Sequence, residues 1–394
     1  MVIFRKDCLF LFVLSVLFIA GCSKENEGYG LDIPQGDKDK TPQAIEFTVP
    51  YKVSVKASEL RDDNILNFGV FAALAENDET FLSGTNLKNF MTNIPVQKGT
   101  GSGSSSVSWN ANPTHYWPVT HDKSISFFAY APYVNNNSEL SFTPDWNGNK
   151  ELGMKYTPKA NPSGQIDLCL AQGITDKKNE FDAQGNTLPV NFKFYHTLSW
   201  ITFAANFTTN GKTTVPEGCD VVIDELVLYN VCQSNTLICK STLADPGDPT
   251  SFFSWDTQIP DSKKTGKYTL SLGGSTLGGL ALPEYPAAPE EFVNANGFLY
   301  LIPQTINSPE SEVKAKIDIS FSYVLRTSTS STTIAQFYST LTLPETVWRE
   351  GSKIKYTFTI DVSTASLINI SAIDKKWIQP WEDSQNQHQD TEIK

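Results

Sequence analysis

From Ala44 onward the chain alternates apolar and polar residues. Ile45, Phe47, Val49, Tyr51, Val53 and Val55 are separated by Glu46, Thr48, Pro50, Lys52 and Ser54. A period of two over eleven residues predicts a strand with one buried face. Pro50 has no amide hydrogen to give a ladder, so this strand is expected at a sheet edge or broken at that point. Similar runs predict strands at 66–74, 124–130, 190–195, 200–207, 221–229, 298–302, 315–325, 333–343 and 354–362. Turn-forming clusters at 135–137, 147–149 and 245–248 punctuate them. No long stretch keeps a 3.6-residue period, and Phe81 to Met91 is the one candidate for a short helix. The pattern predicts an all-β protein of two β-sandwiches in series, 44–187 and 188–378. The junction is placed near 180–190, where Asp, Lys, Asn and Gly concentrate, and a Gly/Ser loop at 99–106 lies inside the first sandwich.

The segment before Ala44 changes the picture from a globular protein to an exported one. Arg5, Lys6 and Asp7 precede an apolar run from Cys8 to Ala20, followed by Gly21 and Cys22. Basic residues, a short apolar stretch and small residues at a cleavage point describe a secretory signal at 1–21. The run is shorter than the ~20 residues that span a bilayer core. Ile19-Ala20-Gly21-Cys22 resembles a lipobox, in which the cysteine thiol is acylated and becomes the new N-terminus. Cys22 is therefore the expected lipid attachment, with outer-membrane lipid as its partner. Each buried acyl methylene contributes about 0.8 kcal/mol to anchoring. Residues 22–43, charged and rich in Gly and Pro, read as a lipidated tether, and 379–394 as a polar tail.

Composition narrows the function further. The net charge is −12 with Lys and Arg scattered, which argues against a nucleic-acid partner. Of six cysteines, Cys169, Cys219, Cys232 and Cys239 remain after the signal and the lipid site. Their spacing matches no zinc signature. A pair such as Cys232–Cys239 could close a hairpin in an exported protein, and small buried reduced thiols are the equal alternative. The four histidines, His115, His121, His196 and His388, are scattered, and His196 reads as a packed strand residue. No nucleophile elbow, zinc-protease motif or phosphate loop is present. The expectation is a non-enzyme with no cofactor and no catalytic metal. Trp109, Tyr116, Trp117, Tyr133 and Trp146 could form a sugar-binding platform or simply pack a core.

Several segments together resemble the fimbrillin family of the Bacteroides group, lipoprotein-derived (type V) pilus subunits. They are Asn67-Phe68-Gly69-Val70-Phe71-Ala72, Asn89 to Val96 (NFMTNIPV), His115-Tyr116-Trp117-Pro118, Ile125 to Tyr133 (ISFFAYAPY), Phe194-Tyr195-His196-Thr197-Leu198, Leu301-Ile302-Pro303-Gln304 and Trp348-Arg349-Glu350-Gly351. The resemblance implies two transthyretin-like sandwiches and assembly with other pilus subunits. It also implies that an Arg- or Lys-directed protease removes the first strand, and that a neighbour's strand fills the groove. The basic candidates near such a cut are Lys52, Lys56 and Arg61. Arg61 lies in the polar connection Ser58 to Asp63, where proteases reach most easily. Arg61 is the first choice and Lys56 the second. The exchanged strand is then Ile45, Phe47, Val49, Tyr51, Val53 and Val55.

One departure bears on role. The tail 379–394 is too polar to donate a strand, and only Leu367 to Trp377 could, with Ile368, Ile370 and Ala372 in alternation. That favours a tip or accessory adhesin subunit over the main stalk, with a host or glycan ligand. The alternative reading is a cell-surface glycan-binding lipoprotein that never polymerises.

Overall fold

A computed structural model describes residues 42–49, 65–99, 109–135, 137–212, 215–256, 259–272, 279–292, 298–327 and 330–377, and the backbone of Thr391–Ile393. The described residues belong to one compact unit. The regular structure of the described residues is strand, and the only helical turns among them are the single 3₁₀ turns Pro162–Gly164 and Asp261–Lys263. Among the described residues no helix is long and apolar enough to cross a membrane.

The first half is built on an eight-stranded sheet. Its order is Phe194–His196, Cys169–Lys177, Ser124–Ala131, Asn67–Ala75, Lys88–Lys98, Trp109–Ala111, Glu46–Thr48 and Val190–Asn191. The two ends of this order are joined by Phe192 and Lys193 alone, so the sheet curls back on itself. Phe47, Phe68, Val70, Trp109, Phe127, Phe192 and Phe194 fill the inside of the curl. The Asn67–Ala75 strand shows how the sequence does this. Phe68, Val70 and Ala72 face inward, while Phe71, Ala73 and Ala75 face a second core on the other side. Both faces are covered, so the run is continuously apolar rather than alternating.

The covering layer is a four-stranded sheet of Leu140–Asp145, Glu151–Tyr156, Asn235–Lys240 and Phe253–Trp255. Leu237 pairs with Met154 and Cys239 with Leu152. The sheets thus cross the 187/188 division expected from composition: a hairpin from beyond residue 230 completes the layer over the first half. The expected strand at 190–195 is likewise two pieces, serving opposite ends of the curled sheet.

The second half packs two sheets face to face. One holds Gly266–Ser271, Cys219–Val231, Lys316–Arg326 and Ser331–Thr342, with Leu280–Ala281 beside Cys219–Val231. In the other, Ser199–Thr208 pairs parallel with Ser352–Asp361, which pairs antiparallel with Ser366–Lys376. Ile201, Phe203, Ile223, Leu226, Ile319, Phe321, Tyr356 and Phe358 meet between the sheets.

One local expectation is corrected. The 81–91 segment is not a helix but a turn leading into the strand Lys88–Lys98. Phe81 and Leu87 are buried, and their amides are taken by side chains distant in sequence, Phe81 N–H by Asp176 Oδ1 at the end of the strand Cys169–Lys177 and Leu87 N–H by Asn147 Oδ1 in a turn, each at 2.7 Å. For the first strand the second of the two expected outcomes holds: its described part, Glu46–Thr48, lies between two others rather than at an edge and ends before Pro50.

Candidate functional site

The first strand is held as an insert in a slot. On one side it runs antiparallel to Trp109–Ala111, with Phe47 opposite Trp109. On the other it runs parallel to Val190–Asn191, with Phe47 opposite Val190. Ile45 N–H donates to the His115 carbonyl at 2.8 Å, Trp117 N–H to the Gln43 carbonyl at 2.9 Å and Phe192 N–H to the Thr48 carbonyl at 2.9 Å. The segment His115-Tyr116-Trp117 therefore forms part of the wall of the slot.

The apolar face of the strand enters the core. Ile45, Phe47 and Val49 are all buried, Phe47 fully. The Phe47 ring stacks on Phe192 at 5.8 Å and meets Phe127 and Phe68 edge-on at 5.9 and 6.1 Å. Burying three such side chains contributes roughly 5–9 kcal/mol, at 1.5–3 kcal/mol each. The remaining expected members, Tyr51, Val53 and Val55, lie outside the described residues, as do Lys56, Arg61 and Cys22.

The candidate donor segment is occupied within its own fold. Ile368, Ile370 and Ala372 sit on Ser366–Lys376, paired along Ser352–Asp361. The register shifts opposite Asn369, which takes a positive φ of 53°. That bulge breaks the expected alternation: Leu367, rather than Ile368, joins Ala372 in the core, with the half-buried Ile370 packed against it. Part of the outer edge, Ala372 to Asp374, is covered by Thr391–Ile393.

The aromatics offered as a sugar platform do not form one. Trp109 and Trp117 lie in the core inside the curl and Trp146 in the core beneath the covering sheet. Tyr116 is exposed and Tyr133 half-buried. The four cysteines 169, 219, 232 and 239 form no disulfide, and burial pushes the Cys232 and Cys239 thiols up.

One polar cluster escaped the sequence reading. His196 is a packed strand residue, as expected, yet it is not isolated. Strand register sets it opposite Cys169. Its Nδ1 lies 2.9 Å from Asp167 Oδ1 and 3.4 Å from Cys169 Sγ. All three are buried. The Trp377 ring lies parallel on the imidazole at 3.7 Å, with Tyr300 stacked beyond it at 5.4 Å. Spacing along the chain could not reveal this group, because only the pairing of two strands brings residue 196 to residue 169. His115 and His121 lie elsewhere on loops, and His388 is outside the described residues.

Comparisons with known proteins agree with this architecture. A sequence model of a family described as fimbrillin-like matches residues 58–381. The fimbrium subunit Fim1C of Phocaeicola vulgatus is 26% identical over 383 residues, covering 91% of this chain and 93% of that protein. The crystal structure of a fimbrial protein from Bacteroides vulgatus matches with a TM-score of 0.58 at 21% identity, over 85% of this chain and 99% of that one.

Proposed function

This chain belongs to the fimbrillin-like family, and from that premise we propose that it is a structural subunit of surface fimbriae that is assembled by exchange of its first strand. The observation that carries this reading is the slot. A strand with a fully buried phenylalanine is hydrogen-bonded on both sides, yet it enters from the N-terminal end of the fold. Removing it would expose two open ladders and an apolar groove. The lost burial is comparable with a domain's net stability of about 5–15 kcal/mol, so the groove must be refilled. A strand from another subunit supplies main-chain hydrogen bonds for affinity and alternate side chains for register.

In this reading Cys22 is acylated and holds the precursor on the outer membrane until cleavage after Arg61, or after Lys56 as second choice, frees the subunit. The occupied Ser366–Lys376 strand and the polar tail favour a tip or accessory position, where a subunit accepts a strand and need not donate one. The burial of Trp109, Trp117 and Trp146 removes most of what motivated the glycan-binding alternative. The role is structural rather than enzymatic.

The test is exchange in the full-length chain cleaved at residue 61. A labelled peptide of residues 44–56 is expected to enter the cleaved protein and co-purify with it. The same peptide carrying Phe47→Asp is expected to stay out, because a charge would enter an apolar groove. Equal uptake of both peptides, or of neither, sinks strand exchange.

A further inference from the structure

We propose that Asp167, Cys169 and His196 form a binding site for one divalent metal ion of the zinc class, placed under Trp377. The three donor atoms, Asp167 Oδ1, Cys169 Sγ and His196 Nδ1, are separated by 2.9, 3.4 and 3.7 Å. A tetrahedral ion with bonds of about 2.0–2.3 Å sets its donors about 3.3–3.7 Å apart. The triangle already has that size on two sides, and the third opens by about half an ångström when the imidazole–carboxylate hydrogen bond is replaced by coordination.

Charge points the same way. One carboxylate and one thiolate balance a divalent ion to neutrality, and a neutral assembly avoids the cost of an unpaired charge in a site whose residues are at most 6% exposed. Binding releases one proton, from the Cys169 thiol, to solvent, while the neutral imidazole binds through Nδ1 with its own proton on Nε2; a second proton leaves only where the ring starts as imidazolium. Carboxylate, thiolate and imidazole together suit zinc better than the hard cations, which prefer all-oxygen ligands.

The site is held rigid before any ion arrives. Cys169, Leu170 and Ala171 pair in register with His196, Tyr195 and Phe194. Thr197 donates both its N–H and its hydroxyl to the Leu168 carbonyl, and the Thr197 carbonyl accepts from Trp255 Nε1 at 2.6 Å. Trp377 fixes the imidazole plane. A ring nitrogen oriented by its neighbours is what metal-ligating histidines require. The bound ion leaves a fourth position for water, and it secures the seat of Trp377 at the end of the Ser366–Lys376 strand.

The proposal is tested by adding Co(II) to the metal-stripped full-length protein in detergent. One ion per chain is expected, with a thiolate-to-cobalt charge-transfer band in the near ultraviolet and strong tetrahedral bands in the visible. Cys169→Ser should abolish the charge-transfer band, His196→Gln should weaken binding at least about tenfold, and Cys239→Ser should change nothing. Zinc should raise the melting temperature of wild type. X-ray absorption at the zinc edge of wild type should show one sulfur in the first shell, a readout that needs no variant. Absence of the bands in wild type, their persistence in Cys169→Ser, or a zinc shell without sulfur overturns the proposal and leaves a buried aspartate–histidine hydrogen bond.

Discussion

Gly69 lies directly beneath the Tyr130 ring, and a Cβ there would overlap the ring carbons. The two residues are cross-strand partners. The Tyr130 hydroxyl donates to Asn93 Oδ1 at 2.7 Å or to the Val134 carbonyl at 2.8 Å, so the ring cannot swing away without breaking a buried polar contact. The segments Asn67 to Ala72, Asn89 to Val96 and Ile125 to Tyr133 thus meet at one point. In the same way Gln304 pairs with Trp348, and Ser199 Oγ donates to the Arg349 carbonyl. Motifs that read separately along the chain are neighbours in space. Gly69→Ala is expected to cost about 1–3 kcal/mol, the usual price of overpacking, read as a shift in the denaturation midpoint at unchanged m. Phe47→Ala should cost about 3–5 kcal/mol by the same measurement. Phe47 was legible because alternation needs no partner to be seen. The Asp167–Cys169–His196 group was not, because it depends on strand register.

At the scale of elements, the strands that could be read were those whose apolar residues point at one or two packed layers. The expected 315–325 run corresponds to Lys316–Arg326, and 354–362 to Ser352–Asp361. Elements built on side chains from elsewhere were missed, as at 81–91, where Asp176 and Asn147 replace the hydrogen bonds a helix would make. The slot strand belongs between these cases: its periodicity was plain, but its place between two neighbours was not, because Pro50 allowed either an edge or a break. If the slot strand is the exchanged element, fimbriae collected from cells should contain this subunit starting near Asp62. Arg61→Ala should retain the full chain on the membrane if Arg61 is the sole cut, and N-terminal sequencing distinguishes the outcomes. A chain still starting at Cys22 within fibres would contradict the mechanism. Metabolic labelling with a fatty-acid analogue should mark the precursor and not its Cys22→Ala variant.

For the whole molecule, the acid side of the stability profile is set by paired carboxylates. Hydrogen bonds from Lys88 and Lys123 hold the Glu76 carboxyl below its ordinary range, Lys355 does the same for Glu291, and Lys264 with Ser311 for Asp261. A depressed folded pKa gives stability that is fully present above the unfolded value of about 4 and is lost as pH falls through the folded value. The melting temperature should therefore be level above about pH 5 and decline below about pH 4. Burial raises the Tyr356 hydroxyl to about 12, so it stays protonated across that range.

The interleaved covering sheet also dictates an order of events as the chain emerges N-terminus first. Glu151–Tyr156 has one flank on Leu140–Asp145, and its other flank waits for Asn235–Lys240. Until residue 240 is available, Phe71, Phe128, Leu152 and Met154 lack part of their cover. The leading half alone thus leaves part of its apolar core open. A chain interrupted near residue 188 is expected to keep that core open, because Asn235–Lys240 and Phe253–Trp255 supply half of the covering sheet.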